Sequence, residues 1–271
     1  MLGASRTALA EARTRLSGLG ASPAELGTLS EELLAVVELL GRELPLRRTL
    51  ADTAVEVDAK TALVTALLGD RVSAMTTQLL VEVVALRWSR PGDLVDGLEA
   101  LGVTASFLQA DGEGTLDRVE DELFRFERIV DSEADLRLAL DDPNHDPAGK
   151  RRLLSALLGD KTTEATLRVI VAAAGARRRS FAEALTEFAR LAADLRNRLN
   201  ARVTAAVQPS QPQLDRLAQE LSRLYGRQVG LRVEVDPQLL GGLVVRVGEE
   251  VIDASVVRRL DGARRQLADH V

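Results

Sequence analysis

A mainly α chain closed by a small α/β domain is the fold class predicted here, as a tandem duplicated helical bundle followed by a β-hairpin-containing module. Three observations predict it. Residues 26–101 laid over 116–191, at a constant offset of 90 and without gaps, give 19 identities in 76 pairs, most of them apolar or helix-terminal. Hydrophobic residues make up 46% of the 271-residue chain but aromatics only 3%, so Ala, Leu and Val must build the core, which favours close-packed helices. Period-two apolar alternation marks short strands beyond residue 200, at Val229, Leu231, Val233 and Val235 and at Leu243, Val245 and Val247.

Taken in order, an opening helix is expected over about 5–17, and the first repeat then runs from Pro23 to Leu101. Its strongest match to the second is Lys60, Leu63, Ala66, Leu67, Leu68, Gly69 and Asp70 against Lys150, Leu153, Ala156, Leu157, Leu158, Gly159 and Asp160. Leu46, Arg47 and Leu50 recur as Leu136, Arg137 and Leu140. Two copies are too few for a solenoid but enough for a duplicated helical domain, with corresponding helices expected over 26–40 and 116–130 and over 60–68 and 150–158. Residues 92–110 are expected as a junction helix that ends one copy and begins the next, interrupted by Gly112 and Gly114.

In the second repeat Leu116, Val119, Leu123, Phe126 and Val130 form one stripe at helical spacing. A short helix over about 133–140 follows, and Pro143 and Pro147 are expected to stop it. Helices over 150–158, with Gly159 as cap, and over 162–174 come next. The longest is expected over about 179–200, where Phe181, Leu185, Phe188, Ala192, Leu195 and Leu199 hold one face for roughly 33 Å. The domains are accordingly 1–105, 106–200 and 201–271. In the last of these a strand over 201–207 ends at Pro209 and Pro212. A helix over 211–225 then presents Leu214, Leu217, Leu221 and Leu224, and a strand follows over 229–235.

Charge and composition exclude several functions. The net charge is −6, which argues against general affinity for nucleic acid or anionic lipid. Cysteine is absent, so there is no disulfide and no thiolate metal site. The longest apolar runs, such as Val169 to Ala176, fall far short of the roughly 18 residues that span a bilayer. Between Asp93 and Asp146 there are 16 acidic and 4 basic residues, a bias that either dresses a solvated surface or docks a basic partner segment.

No catalytic, cofactor or metal site is found. Gly159-Asp160-Lys161-Thr162 lacks the spacing of a phosphate-binding loop and reads as a helix end. His145 and His270 have no companions at ligand spacing. The carboxylates Glu120, Asp121 and Glu122 start an amphipathic helix, where solubility and the helix dipole explain them better than acid–base chemistry. Arg177-Arg178-Arg179 sits in an interhelical loop without interleaved aromatics, and Trp88 reads as a packing residue, with a partner anchor as the alternative.

The C-terminal segment is the most specific. Leu243, Val245 and Val247 alternate with Val244 and Arg246, Gly248-Glu249-Glu250 forms a turn, and Val251-Ile252 returns. Gly241 and Gly242 supply positive φ or close approach, and Asp253 or Ser255 caps a last helix over 256–268. The order Leu239-Leu240-Gly241-Gly242, two apolar strands around a Gly-Glu-Glu turn, then Asp253-Ala254-Ser255-Val256 and Arg259-Leu260, resembles the C-terminal signature of the delta subunit of F-type ATP synthase, the family of the oligomycin-sensitivity-conferring protein. Ala254 departs from the glycine found there in many members.

The family's six-helix domain falls on about 115–200, so 1–105 is extra relative to short members, as in the duplicated form of high-GC Gram-positive bacteria. The resemblance implies a non-catalytic peripheral-stalk, or stator, subunit at the cytoplasmic face of the membrane, attached only through its complex. It implies that the bundle binds amphipathic N-terminal segments of alpha subunits and that the C-terminal module grips the b-subunit helices. Gly241, Gly242, Gly248, Asp253, Ser255, Arg259 and Leu260 are then the structural signature, and Glu120, Asp121, Glu122, Leu239 and Leu240 the partner-binding candidates. An unrelated helical adaptor or scaffold is the alternative.

Overall fold

The computed structural model describes residues 1, 3–142, 146–176, 179–225, 229–236, 239, 242–247 and 250–253. It divides into two compact units, Met1–Ala192 and Ala193–Val271. The fold is mainly α with one small sheet.

The first unit opens with α1 (Ala4–Gly18), α2 (Pro23–Arg42), α3 (Leu44–Ala51), α4 (Val57–Leu68), α5 (Ala74–Val84) and α6 (Pro91–Gly112). It continues with α7 (Leu116–Ser132), α8 (Ala134–Asp141), α9 (Pro147–Leu158), α10 (Glu164–Gly175) and the start of α11 (Phe181–Leu199). A shift of 90 carries α3 onto α8 and α4 onto α9 at both ends, and the first residues of α5 and α6 onto those of α10 and α11. It carries α1 onto residues 94–108, inside α6. The expected junction helix is therefore present, closing the first repeat and opening the second.

Local chemistry explains why the helices start where they do. Ser22 and Glu25 form a capping box before α2, with proline at the first helical position. Ser73 caps α5 and Thr163 caps α10 through the same bond to the backbone three residues on. Pro147, expected to stop a helix, instead starts α9: Asp146 accepts from the Ala148 N–H, and proline at the first position gives up only a backbone donor that would have had no helical partner. The longest described helix is α6 with 22 residues, not α11 with 19.

In the first repeat α2 lies close along α6. A side chain at Gly102 would meet Leu34 at 3.0 Å, and one at Gly27 would meet Gln109 at 2.9 Å. Between them Ser30 bonds the Gly102 carbonyl and the Ser106 hydroxyl, both at 2.7 Å. The second repeat has Asp117, Glu120 and Ala192 at the positions of Gly27, Ser30 and Gly102, so this small-residue seam is not repeated. Trp88 is 2% exposed, packs on Gly97 and donates to the Val83 carbonyl at 2.9 Å, which makes it a packing residue. In the second repeat the stripe Leu116, Val119, Leu123, Phe126 and Val130 is buried as expected, with Phe126 edge-on to Phe181 at 5.9 Å.

The second unit holds β1 (Asn200–Ala205), α12 (Gln211–Tyr225), β2 (Gly230–Val235), β3 (Leu243–Val247) and β4 (Glu250–Asp253). The sheet order is β2-β1-β3-β4, with β1 parallel to β2 and both other pairs antiparallel. Ala201, Val203, Leu221, Val229, Val245 and Val247 form its core, joined by Leu217 and Tyr225. Leu224, expected on the buried face, is 66% exposed. The positions 217, 221 and 225 lie on one line at helical spacing, so Tyr225 takes that place.

Candidate docking surfaces

Where the two repeats meet, α2, α3 and α6 face α9 and α10 across a groove of about 450 Å³. Leu34, Val37, Val95, Leu167 and Val171 give it an apolar floor. Ion pairs tie its walls: Arg151 to Glu38 at 2.6 Å and Arg168 to Glu31 at 3.4 Å. Arg168 also donates to the Ser106 hydroxyl at 3.3 Å. Two guanidinium N–H groups on this groove, the Nε of Arg47 and of Arg179, are buried without an acceptor among the described residues. Buried donors without an acceptor are costly.

At one end of the groove Glu99 is buried on α6 and paired with Arg179. Burial pushes the Glu99 carboxyl up to about 7. The Arg179 charge and hydrogen bond oppose that rise, while Asp96 and Glu187 add to it. Arg179 also reaches Glu187 at 3.3 Å and lies over the Phe188 ring at 5.2 Å. The sequence marked Arg179 only as part of an arginine run. Glu99, Glu31, Glu38 and Arg168 carried no signal beyond membership of charged helices; the offset of 90 could not have found them, since its partners of Glu99 and Arg168 are Ala189 and Gln78.

The three carboxylates at 120–122 are placed unequally. Asp121 is exposed and Glu120 half-buried, whereas Glu122 is held inside the repeat. Its Oε2 accepts from the Thr163 N–H at 2.9 Å, the Thr163 hydroxyl at 3.1 Å and the Thr166 hydroxyl at 2.7 Å; Arg118 donates to Oε1 at 2.8 Å. Burial by itself raises this carboxyl, but the hydrogen bonds outweigh it and the net direction is down. The first repeat has the same clasp at the same spacing. Glu32 accepts from the Ser73 N–H at 2.8 Å, from the Ser73 hydroxyl at 2.7 Å and from Thr76.

Of the C-terminal residues, Gly242 has φ +82° and is exposed beside β3, Leu239 is half-buried, and the backbone of Asp253 ends β4 opposite Val244. Leu240, Gly241, Gly248, Ser255, Arg259 and Leu260, and the helix expected over 256–268, lie outside the described residues, as do His145, His270, Arg177 and Arg178. Among the described residues no cluster of His, Asp or Glu is placed to hold a metal ion, and no helix is long and apolar enough to cross a membrane.

The profile of the family described as ATP synthase delta (OSCP) subunit matches residues 103–267. A protein named ATP synthase subunit delta from Streptomyces coelicolor is 46% identical over 99% of this chain and 98% of its own length. The chain belongs to the ATP synthase delta (OSCP) family. Proteins of the same name from Frankia casuarinae (44% identity, 98% of this chain, 99% of that one) and Thermobifida fusca (42%, 99% and 100%) match equally fully. The delta-family profile begins at Val103, within α6, while these actinobacterial delta subunits match along the first repeat as well. A chain of the Toxoplasma gondii mitochondrial ATP synthase hexamer shows a TM-score of 0.34 and 20% identity over 63% of this chain and 97% of that one, too weak a likeness to carry an argument.

Proposed function

We propose that this delta-family stator subunit joins the catalytic alpha–beta head to the b-subunit stalk and resists the torque of rotation during proton-driven ATP synthesis. The role is mechanical and non-catalytic: the head must be held still for rotation of the central stalk to drive it. The repeats, read as 1–105 and 106–200, take amphipathic N-terminal segments of alpha subunits. The module at 201–271 holds the C-terminal helices of b, with Leu239, Leu240 and the Gly241-Gly242 turn at that contact. The subunit works peripherally, on the cytoplasmic face, and meets the membrane only through its complex.

The observation that carries this reading is the groove at the repeat junction. It is apolar along its floor, as an amphipathic helix requires. Affinity purification of the tagged chain from detergent-solubilised membranes is the test. Recovery of alpha and b in stoichiometric amounts is expected. Recovery of neither would contradict the proposed linkage.

A further inference from the structure

We propose that the outward face of α7, centred on Phe124 and bordered by Asp117, Glu120, Asp121, Glu127 and Asp131, docks a basic amphipathic helix of another protein. This surface is distinct from the groove at the repeat junction and goes beyond the stator reading.

The duplication supplies the template. The Glu32 and Glu122 clasps fix α2 against the start of α5, and α7 against the start of α10, through bonds at the same spacing. The two helices therefore present corresponding residues in the same direction. Leu34 lies two residues past Glu32 and Phe124 two residues past Glu122. Leu34 packs at Gly102 of α6 and lines the groove that Leu167 and Val171 of α10 share. Charge flanks that contact, with Glu31 on Arg168 and Glu38 on Arg151. The first repeat thus turns this face of its second helix toward a helix bearing aliphatic residues beside arginine.

On α7 the same position is a phenylalanine that is 60% exposed. Positions 117, 120, 121, 124, 127, 128 and 131 lie on one side of a helix, and apart from Phe124 they hold five acids and Arg128. An aromatic anchor within a negative rim fits a positively charged apolar helix. The equivalent surface of a second copy's first repeat does not fit. By the same offset, it has Thr61, Thr77, Gln78 and Glu82 where the template has Arg151, Leu167, Arg168 and Ala172.

The test places p-benzoylphenylalanine at position 124 of the full-length chain and irradiates intact cells, and the crosslinked peptide is then mapped. The expected adduct lies on a helical segment of another protein with Lys or Arg one turn from its apolar residues. Association of a synthetic peptide of that segment with the purified chain should weaken at least about tenfold in Phe124→Ala. Asp121→Asn should leave it bound but flatten the salt dependence of its on-rate. No adduct, an adduct within a second copy of this chain, an adduct on an acidic segment, or unchanged affinity in Phe124→Ala with the fold retained would each overturn the proposal. Membership of the stator is read separately, from whether unirradiated wild-type chain co-purifies with alpha and b.

Discussion

Two glutamates show how little of a residue's role is written in its type. Glu99 and Glu122 both sit on helices that read as acidic from the sequence, yet their carboxyls move in opposite directions. Glu122 meets four donors and is favoured as the anion. Glu99 meets one arginine in a buried site, and the loss of solvation prevails. For a carboxyl whose folded pKa lies above the unfolded 4.5, the folded state retains the proton between 4.5 and about 7. Stability from this group is therefore complete below pH 4.5, falls as pH rises through that window and is flat above it. Equilibrium unfolding of the wild type and Glu99→Gln across pH 4.5 to 8 checks this. The wild type should lose ground to the variant by up to about 3 kcal/mol with rising pH. A constant difference would show that Glu99 stays ionised throughout. Neither glutamate's state was legible beforehand, because each depends on groups 41 to 80 residues away.

At the scale of elements, periodicity and the offset of 90 placed most helices within a few residues of where they lie. Errors arose where a residue type has two opposite uses. Proline ends a helix from within but suits its first position, which is why Pro147 starts α9. Adjacent Leu224 and Tyr225 differ by only one helical step, and the sheet rather than hydrophobicity chose between them. Gly242 was legible because tight turns need residues that tolerate left-handed backbone, and it has φ +82°. Gly242→Val should strain that conformation by about 1–3 kcal/mol. In a module with one small sheet this is a large share of the total. Two-probe thermal unfolding should show the sheet-bearing unit melting earlier while the helical repeats keep their transition; an unchanged first transition would mean the turn relaxes without cost.

Across the whole molecule, the duplication, the helical class and the family were legible, since each is carried by residues near one another in sequence or by a strict repeat. The surfaces were not. The groove arises from how α2 and α6 meet α9 and α10, and Phe124 gains meaning only when its counterpart Leu34 is seen facing α10 across that groove. A chain with two linked repeats and a separate sheet module has the parts of a joint between two bodies. If it is the torque-bearing joint of the stator, removing it should uncouple the motor without silencing the head. The direct measurement compares ATP hydrolysis with ATP-driven proton pumping in inverted membrane vesicles stripped of this subunit and then given it back. Hydrolysis that persists in stripped vesicles while pumping is lost, with pumping restored on adding the chain, is the predicted result. Pumping undiminished in its absence would contradict the account.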